Sequence, residues 1–131
     1  MQFLNSPEME ARALPFSEVV RVGDTLYLSG QVGIRPGTTV LAPGGIAGET
    51  KQVLENIRNV LERNGSSLDR VAKCTVFLAD IAEWPAMNEV YRTFFPEHPP
   101  ARSALGASGL ALGARVEIEC LAVVGEASAR P

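Results

Sequence analysis

The pattern that most constrains this fold is a long amphipathic helix followed by an alternating strand. Residues 50–64 repeat apolar side chains along one face at helical spacing, namely Val53, Leu54, Ile57, Val60 and Leu61. Gly65 follows, and glycine readily adopts the left-handed backbone that ends a helix. Residues 73–79 then alternate between two sets of side chains, as a strand does. A helix and a strand that each bury one face predict a helix packed on a sheet.

The first part of the chain predicts a hairpin and then a loop. Residues 19–22 and 25–29 are β-prone runs around Gly23 and Asp24, and a glycine there allows a tight turn. Gly30 comes just past the second run and indicates close backbone approach. The stretch 35–48 is rich in Pro, Gly and Thr, which predicts a loop.

The last part predicts a second helix and two strands. The helix covers about residues 82–95, begins near Pro85 and presents an apolar stripe to the core, made of Trp84, Met87, Val90, Tyr91 and Phe94. Residues 103–105 predict a short strand and residues 115–124 the last one. The order predicts an α+β fold, a mixed sheet with two helices on one face, in a single domain over 1–131.

The last strand indicates that the second face of the sheet is also covered. Val116, Ile118, Cys120, Ala122 and Val124 line one side of this strand, whereas the other side carries two glutamates followed by Leu121 and Val123. With two helices on the first face, nothing in a 131-residue chain remains to cover the second. Apolar residues there predict burial against another subunit.

Composition excludes several classes of function. The formal net charge is −3, which disfavours nucleic acid as a partner. No signal peptide and no apolar run long enough to span a bilayer is visible, so we expect a cytoplasmic protein that does not enter membranes. Cys74 and Cys120 lie in strand-like patterns and are expected to be buried, reduced thiols. One His and two Cys without ligand spacing predict no metal site.

Arg102 and Glu119 are the candidate catalytic residues. Arg102 follows Pro99 and Pro100, which restrict the backbone, and its guanidinium matches a carboxylate in a bidentate geometry. Its alternative role is a surface ion pair. Glu119 lies mid-strand, where carboxylates are depleted, and its functional role would be to orient a water. Its alternative roles are a solvated strand end or an ion-pair partner of Arg102 or Arg115.

Six short motifs follow one another along the chain. They are Leu-Ser-Gly-Gln at 28–31, Gln-Val-Leu-Glu-Asn at 52–56, Thr-Val-Phe-Leu at 75–78, Met-Asn-Glu-Val-Tyr at 87–91, Pro-Pro-Ala-Arg-Ser at 99–103 and Val-Glu-Ile-Glu at 116–119. In this order and spacing they resemble the RidA (YjgF/YER/UK) family, also described as endoribonuclease L-PSP. The resemblance runs from about residue 14 to residue 125.

The resemblance implies a chorismate-mutase-like fold in a trimeric, barrel-like assembly, with sites in clefts between the subunits of the homotrimer. It implies hydrolysis of reactive 2-enamine or 2-imino acids, such as 2-aminoacrylate, to 2-keto acids and ammonia. The substrate is a small carboxylate-bearing molecule, and the resemblance implies no cofactor and no metal.

The resemblance also assigns roles to individual residues. Arg102 matches the arginine that holds the substrate carboxylate, and Glu119 matches the acidic residue that acts through a water. Gly30 and Ala104 match positions whose backbone lies against the substrate. Asn88 matches a position on the second helix beside the site.

The remaining matches include departures from the family pattern. Ser29 lies next to the expected pocket. Phe16 stands in Leu-Pro-Phe where the archetype has Gly-Pro-Tyr, so an aromatic wall is kept and a hydroxyl is lost. Ala104 replaces a frequent cysteine, and Ala111 stands where a proline is common.

These departures leave two alternatives to the small-imine deaminase. One is a related deaminase that acts on a larger, pathway-specific imine. The other is a non-catalytic, chaperone-like or RNA-directed member, of the endoribonuclease or translation-inhibitor type. The acidic balance and the lack of an aromatic-basic stripe count against RNA.

Overall fold

A mixed sheet forms at the alternating segments, and two long helices cover one of its faces. The computed structural model describes residues 1–125, and the remaining positions of the predicted 1–131 domain lie outside the described residues. The strands are β1 (Gln2–Leu4), β2 (Val19–Val22), β3 (Thr25–Leu28), β4 (Gln31–Val32), β5 (Val71–Leu78), β6 (Ala101–Gly106) and β7 (Val116–Val123). The helices are α1 (Pro7–Arg12), α2 (Gly45–Arg63) and α3 (Trp84–Phe94).

The last strand of the sequence lies in the middle of the sheet. The strand order is β1-β2-β3-β7-β5-β6, and β4 also pairs with β7. The β5–β6 pair is parallel, and the other pairs are antiparallel. The segment β5-α3-β6 is thus the strand–helix–strand unit that the sequence predicts, and it leaves β6 as an edge strand.

The core lies between the sheet and the stripes of α2 and α3. Its largest fully buried side chains include Leu26, Leu54, Ile57, Leu61, Leu78, Met87 and Ile118. Burial of each such side chain stabilises the fold by roughly 1.5–3 kcal/mol. The two sides predicted for the last strand are confirmed, because its odd and even positions differ in burial as expected.

Helix α2 begins five residues earlier than the pattern predicts, so the end of the predicted 35–48 loop is wrong. Gly45 and Gly48 weaken the helical signal of this first turn. The structure explains Gly48, because a Cβ there would collide with the carbonyl of Pro43. The C-terminal prediction is confirmed: Gly65 has φ +78°, and the N–H of Ser66 donates to the carbonyl of Leu61 at 2.8 Å.

Helix α3 confirms the predicted start and corrects one predicted core residue. It begins at Trp84 with Pro85 in its first turn. Met87 and Tyr91 are buried as the stripe predicts, but Trp84 is 42% exposed. The indole lies in the first turn, beyond the end of the packed stripe.

The second face of the sheet is open and carries apolar side chains. The strand pairings place Phe3, Val20, Tyr27 and Leu121 in one row across it. Phe3 is 64% and Tyr27 48% exposed. This face has the apolar character that the sequence predicts. Of the helices described, none is long and apolar enough to cross a membrane.

Sequence periodicity does not predict the N-terminal elements. Strand β1 and helix α1 are shorter than the windows in which periodicity is visible. The hydroxyl of Ser6 caps α1 by accepting from the N–H of Met9 at 3.2 Å, and Pro7 follows in the first turn. This Ser-Pro pair is the signal that could have indicated the helix.

Candidate active site in two half-sites

Arg102 lies in a small cavity between α3 and β6, called here the arginine cavity. Its walls include Asn88, Tyr91, Phe95 and Pro100, and its volume is about 280 Å³. The Nη1 of Arg102 donates to the Oδ1 of Asn88 at 2.8 Å. The guanidinium carbon lies 4.8 Å from the centre of the Tyr91 ring, within the range of a cation–π contact.

These contacts hold the guanidinium without neutralising it. Within residues 1–125, no carboxylate pairs with Arg102. The amide of Asn88 occupies one donor, and the ring of Tyr91 occupies a face. The donors that remain can bind a carboxylate ligand in the planar geometry that guanidinium favours.

Ala104 is two residues further along the same edge strand. It pairs with Val76 of β5, and its side chain packs against the core. Its methyl group is therefore turned away from solvent, so its backbone is the part that could contact a ligand.

A second cavity, called here the acid cavity, contains three further site residues predicted from the sequence, Phe16, Ser29 and Gly30. Its volume is about 400 Å³, and its walls include Phe16, Ser29, Gly30, Leu112 and Glu117. Phe16 is 51% exposed. The hydroxyl of Ser29 donates to the backbone carbonyl of Ser17 at 2.6 Å, which holds the segment before β2 against the end of β3.

Glu117 is the carboxylate of this cavity. It pairs with Val32 of β4, and a Cβ at position 30 would collide with its Oε2, so Gly30 is required for the carboxylate to lie where it does. Burial raises the pKa of Glu117, and the nearby charge of Glu119 raises it further. A carboxylate with a raised pKa is suited to take up and return a proton.

Glu119 lies elsewhere. It pairs with Thr75 of β5, is exposed, and borders a shallow depression with Lys73 and Leu121. The structure therefore brings Phe16, Ser29 and Gly30 together with Glu117 and not with Glu119.

The two cavities share no wall residue. The register places Arg102 opposite the buried Cys74, so its side chain points to the helix face, whereas Glu117 points to the open face. From β7, which carries Glu117, through β5 to β6, which carries Arg102, there are two strand spacings, or about 10 Å. Within one chain, the guanidinium and the carboxylate are thus two separate half-sites.

The described residues contain no cluster of three or more His, Cys, Asp or Glu side chains that could hold a metal ion. The single His98 is an exposed loop residue and lines neither cavity.

Comparison with known proteins identifies the family. The family model described as Endoribonuclease L-PSP matches residues 6–124. A mouse protein named 2-iminobutanoate/2-iminopropanoate deaminase is 44% identical over 111 residues, which are 85% of this chain and 82% of that protein. The human protein of the same name is 41% identical over 85% of this chain and 81% of its own length. The chain belongs to the RidA family.

Solved structures support this assignment. The RidA structure from the Antarctic bacterium Psychrobacter superposes with a TM-score of 0.86 at 35% identity, over 95% of this chain and all of that one. The structure of Escherichia coli TdcF with bound serine superposes with a TM-score of 0.78 at 32% identity, over 84% of this chain and 88% of that one. The fold of this RidA protein is therefore the mixed α+β fold of these relatives.

Glu117 is the residue of the acid cavity that the sequence pattern does not single out in this RidA protein. Glu117 and Glu119 lie on the same side of β7, so strand periodicity does not separate them. The signal that could have done so is Gly30: a glycine just after a strand indicates close approach, and the structure shows that the group approaching it is the Glu117 carboxylate.

Proposed function

We propose that this RidA protein is a cofactor-free deaminase that hydrolyses 2-imino acids to 2-keto acids and ammonia. The observation that carries this proposal is the Arg102 guanidinium, held in a cavity by Asn88 and Tyr91 without a carboxylate partner among the described residues. The carboxylate of a bound acid would supply the missing ion-pair partner of this guanidinium. The deaminase names of the mouse and human relatives, and the serine bound by TdcF, support a small substrate that carries a carboxylate.

We propose that the two half-sites meet between chains of a homotrimer. Three features support this: the half-sites lie apart within one chain, the open sheet face exposes apolar side chains such as Phe3 and Tyr27, and β6 is an edge strand. The arginine cavity of one chain would then face the acid cavity of the next. Association would also bury the open face, as the sequence predicts.

In this arrangement Arg102 binds the substrate carboxylate and fixes the imine carbon. Glu117, and not Glu119, accepts a proton from a water that attacks this carbon, and a tetrahedral aminol forms. Glu117 returns this proton to the nitrogen, which completes the aminol. It then takes the proton of the aminol hydroxyl and delivers it to the nitrogen as the C=O bond forms and the C–N bond breaks, so the 2-keto acid and ammonia leave. Because imines of this type also hydrolyse without catalysis, positioning can supply much of the acceleration.

The apolar walls of the acid cavity favour one variation on this function. Leu14, Phe16 and Leu112 line it, and Leu112 is 54% exposed. A cavity of about 400 Å³ with such walls accommodates a side chain larger than methyl or ethyl. A pathway-specific imine with a longer apolar side chain is therefore the second candidate substrate.

Mixing two inactive variants tests both the reaction and the shared site. An amino-acid oxidase generates the 2-imino acid, and the release of keto acid is followed with and without protein. Arg102→Ala and Glu117→Gln should each lose acceleration. When the two are unfolded and refolded together, mixed trimers should regain part of the wild-type rate. Wild-type protein without acceleration on small and large imines would refute the reaction, whereas active wild type without recovery in the mixture would refute the shared site.

A further inference from the structure

Two cysteines lie side by side beneath the arginine cavity, and the proposed reaction does not use them. Cys74 of β5 and Cys120 of β7 are the two cysteines of the sequence, and they are directly paired across the strands. Their sulfur atoms are 3.1 Å apart, both residues are free thiols, and both are buried. Directly opposed residues on neighbouring antiparallel strands have Cβ atoms close enough to approach the geometry of a disulfide.

The surroundings make Cys74 the more reactive thiol of the pair. Cys120 is a neighbour whose S–H can donate to it, and the buried hydroxyl of Tyr91 also interacts with it. Arg102 is above the same Tyr91 ring. The hydrogen bond from Cys120 lowers the pKa of Cys74 although burial opposes it, and the Tyr91 hydroxyl and the charge of Arg102 lower it further. The same hydrogen bond and burial raise the pKa of Cys120.

A metal does not account for this pair. Structural zinc requires about four ligands. No further His, Cys, Asp or Glu joins the two thiols in a cluster of three within the described part of the chain. Two adjacent thiols with different reactivity instead match the arrangement of an attacking and a resolving cysteine.

We propose that Cys74 and Cys120 form an intrachain disulfide when the protein meets a peroxide, and that this bond lies directly beneath the carboxylate-binding arginine. The Cys74 thiolate attacks one peroxide oxygen, the O–O bond breaks, and Cys74 becomes a sulfenic acid while water is released. The Cys120 sulfur then attacks the Cys74 sulfur, the S–O bond breaks, and a second water leaves. Two thiols are thus oxidised and one hydrogen peroxide is reduced to two waters. A dithiol reductant reverses the reaction.

The arginine cavity provides both the route and the consequence. Hydrogen peroxide is little larger than water, and the walls of this cavity of about 280 Å³ include Tyr91, which interacts with Cys74, and Arg102, which is paired with Cys74 across the strands. Disulfide formation brings the sulfur atoms from 3.1 Å to about 2.05 Å, which draws the Cys74 sulfur toward β7. The Tyr91 hydroxyl interacts with Cys74, so this shift changes the surroundings of the ring that contacts Arg102, and the position of the guanidinium should respond.

Mass measurement on the intact assembly tests the bond. Folded wild-type protein is treated with hydrogen peroxide, unfolded in an alkylating reagent and weighed. We expect the loss of two hydrogen atoms per chain, no alkylation, and full alkylation after dithiothreitol. Cys120→Ala should stop at a Cys74 sulfenic acid, which dimedone traps, whereas Cys74→Ala should remain unmodified. The proposal would be overturned if both wild-type thiols were still alkylated after peroxide treatment, or if the disulfide joined two chains. Because this result concerns wild-type protein, it decides the question even if neither variant folds.

A second measurement separates this proposal from the deaminase reaction. The rate of imine hydrolysis is compared before oxidation, after oxidation and after reduction. We expect a reversible fall in kcat/KM of several-fold. An unchanged rate in oxidised protein would overturn the coupling to Arg102. Absence of any hydrolysis in the reduced protein would refute the deaminase instead, and the disulfide would still be judged by its mass.

Discussion

The arginine cavity and the acid cavity differ in how completely one chain builds them. In the first, packed elements hold the reactive group: Asn88 on α3 and the buried ring of Tyr91 fix Arg102. In the second, loop segments form much of the wall, and Phe16 and Leu112 are more than half exposed. In the proposed reaction this difference would divide the tasks: the rigid half-site would bind the carboxylate that all substrates share, and the looser one would select the rest of the substrate.

The comparison also separates two kinds of residue. Removal of a fixed anchor should lower activity whatever the substrate, whereas changes in the looser half-site should depend on the substrate and on assembly. Kinetics and thermal stability of single variants test this division.

The largest effect is expected for Arg102→Ala. Loss of a charge-assisted contact to the substrate should lower kcat/KM for 2-imino acids by roughly a thousandfold, toward the spontaneous rate. Arg21→Ala is the matched control, because Arg21 forms an exposed pair with Asp24 and should change the rate little. Equal rates for Arg102→Ala and wild type, with assembly intact, would contradict the anchor role.

The second effect distinguishes the two carboxylates of β7. Glu117→Gln removes the proton acceptor of the acid cavity and should lower kcat about a hundredfold. Glu119→Gln, on the same strand face but outside the cavity, should retain most of the activity. Steady-state kinetics on both variants provides the test. A larger loss in Glu119→Gln would restore the residue that the sequence pattern favours and refute our assignment.

The third effect follows from the contact between Gly30 and Glu117. In Gly30→Ala the new methyl group would displace the carboxylate, so kcat should fall about tenfold. The same change in a Glu117→Gln background should cost nothing further, because the displaced group no longer acts. Additive losses in the double variant would show that position 30 acts independently of Glu117.

Sequence periodicity predicts the fold where apolar side chains repeat over several turns or strand positions. The core face of α2, the hairpin and the alternation of β7 follow from it directly. It fails at β1 and α1, because these elements are too short to show a period. It also fails at the first turn of α2, where a close backbone contact requires a glycine of low helix propensity.

The candidate site divides along the same line. The sequence could point to Arg102 because this residue lies in one contiguous motif, directly after two prolines and an alanine. The sequence could not show that Glu117, rather than Glu119, lines the acid cavity, because this depends on the register between β4 and β7. No periodicity within one chain indicates that two half-sites lie on opposite faces of the sheet.

The smallest effect is a change in thermal stability at Glu117. Its pKa is raised in the folded state, so the folded protein favours the protonated form. The stability this gives is present below the pKa of the unfolded chain, near 4.3, and is lost as the pH rises through the folded value. At pH 7 the ionised carboxylate therefore destabilises the fold slightly, and Glu117→Gln should raise Tm by a small amount.

The pH dependence decides whether that gain comes from charge. Because the wild-type carboxyl is protonated in both states at low pH, the Tm difference between Glu117→Gln and wild type should vanish as the pH falls toward 4. Glu119→Gln should give a smaller gain, since its charge is the lesser cause of the raised pKa of Glu117. A Tm for Glu117→Gln below that of wild type at pH 7 would show that this carboxylate stabilises the acid cavity. The acid cavity would then be as rigid as the arginine cavity, and the contrast between a rigid and a looser half-site would not hold.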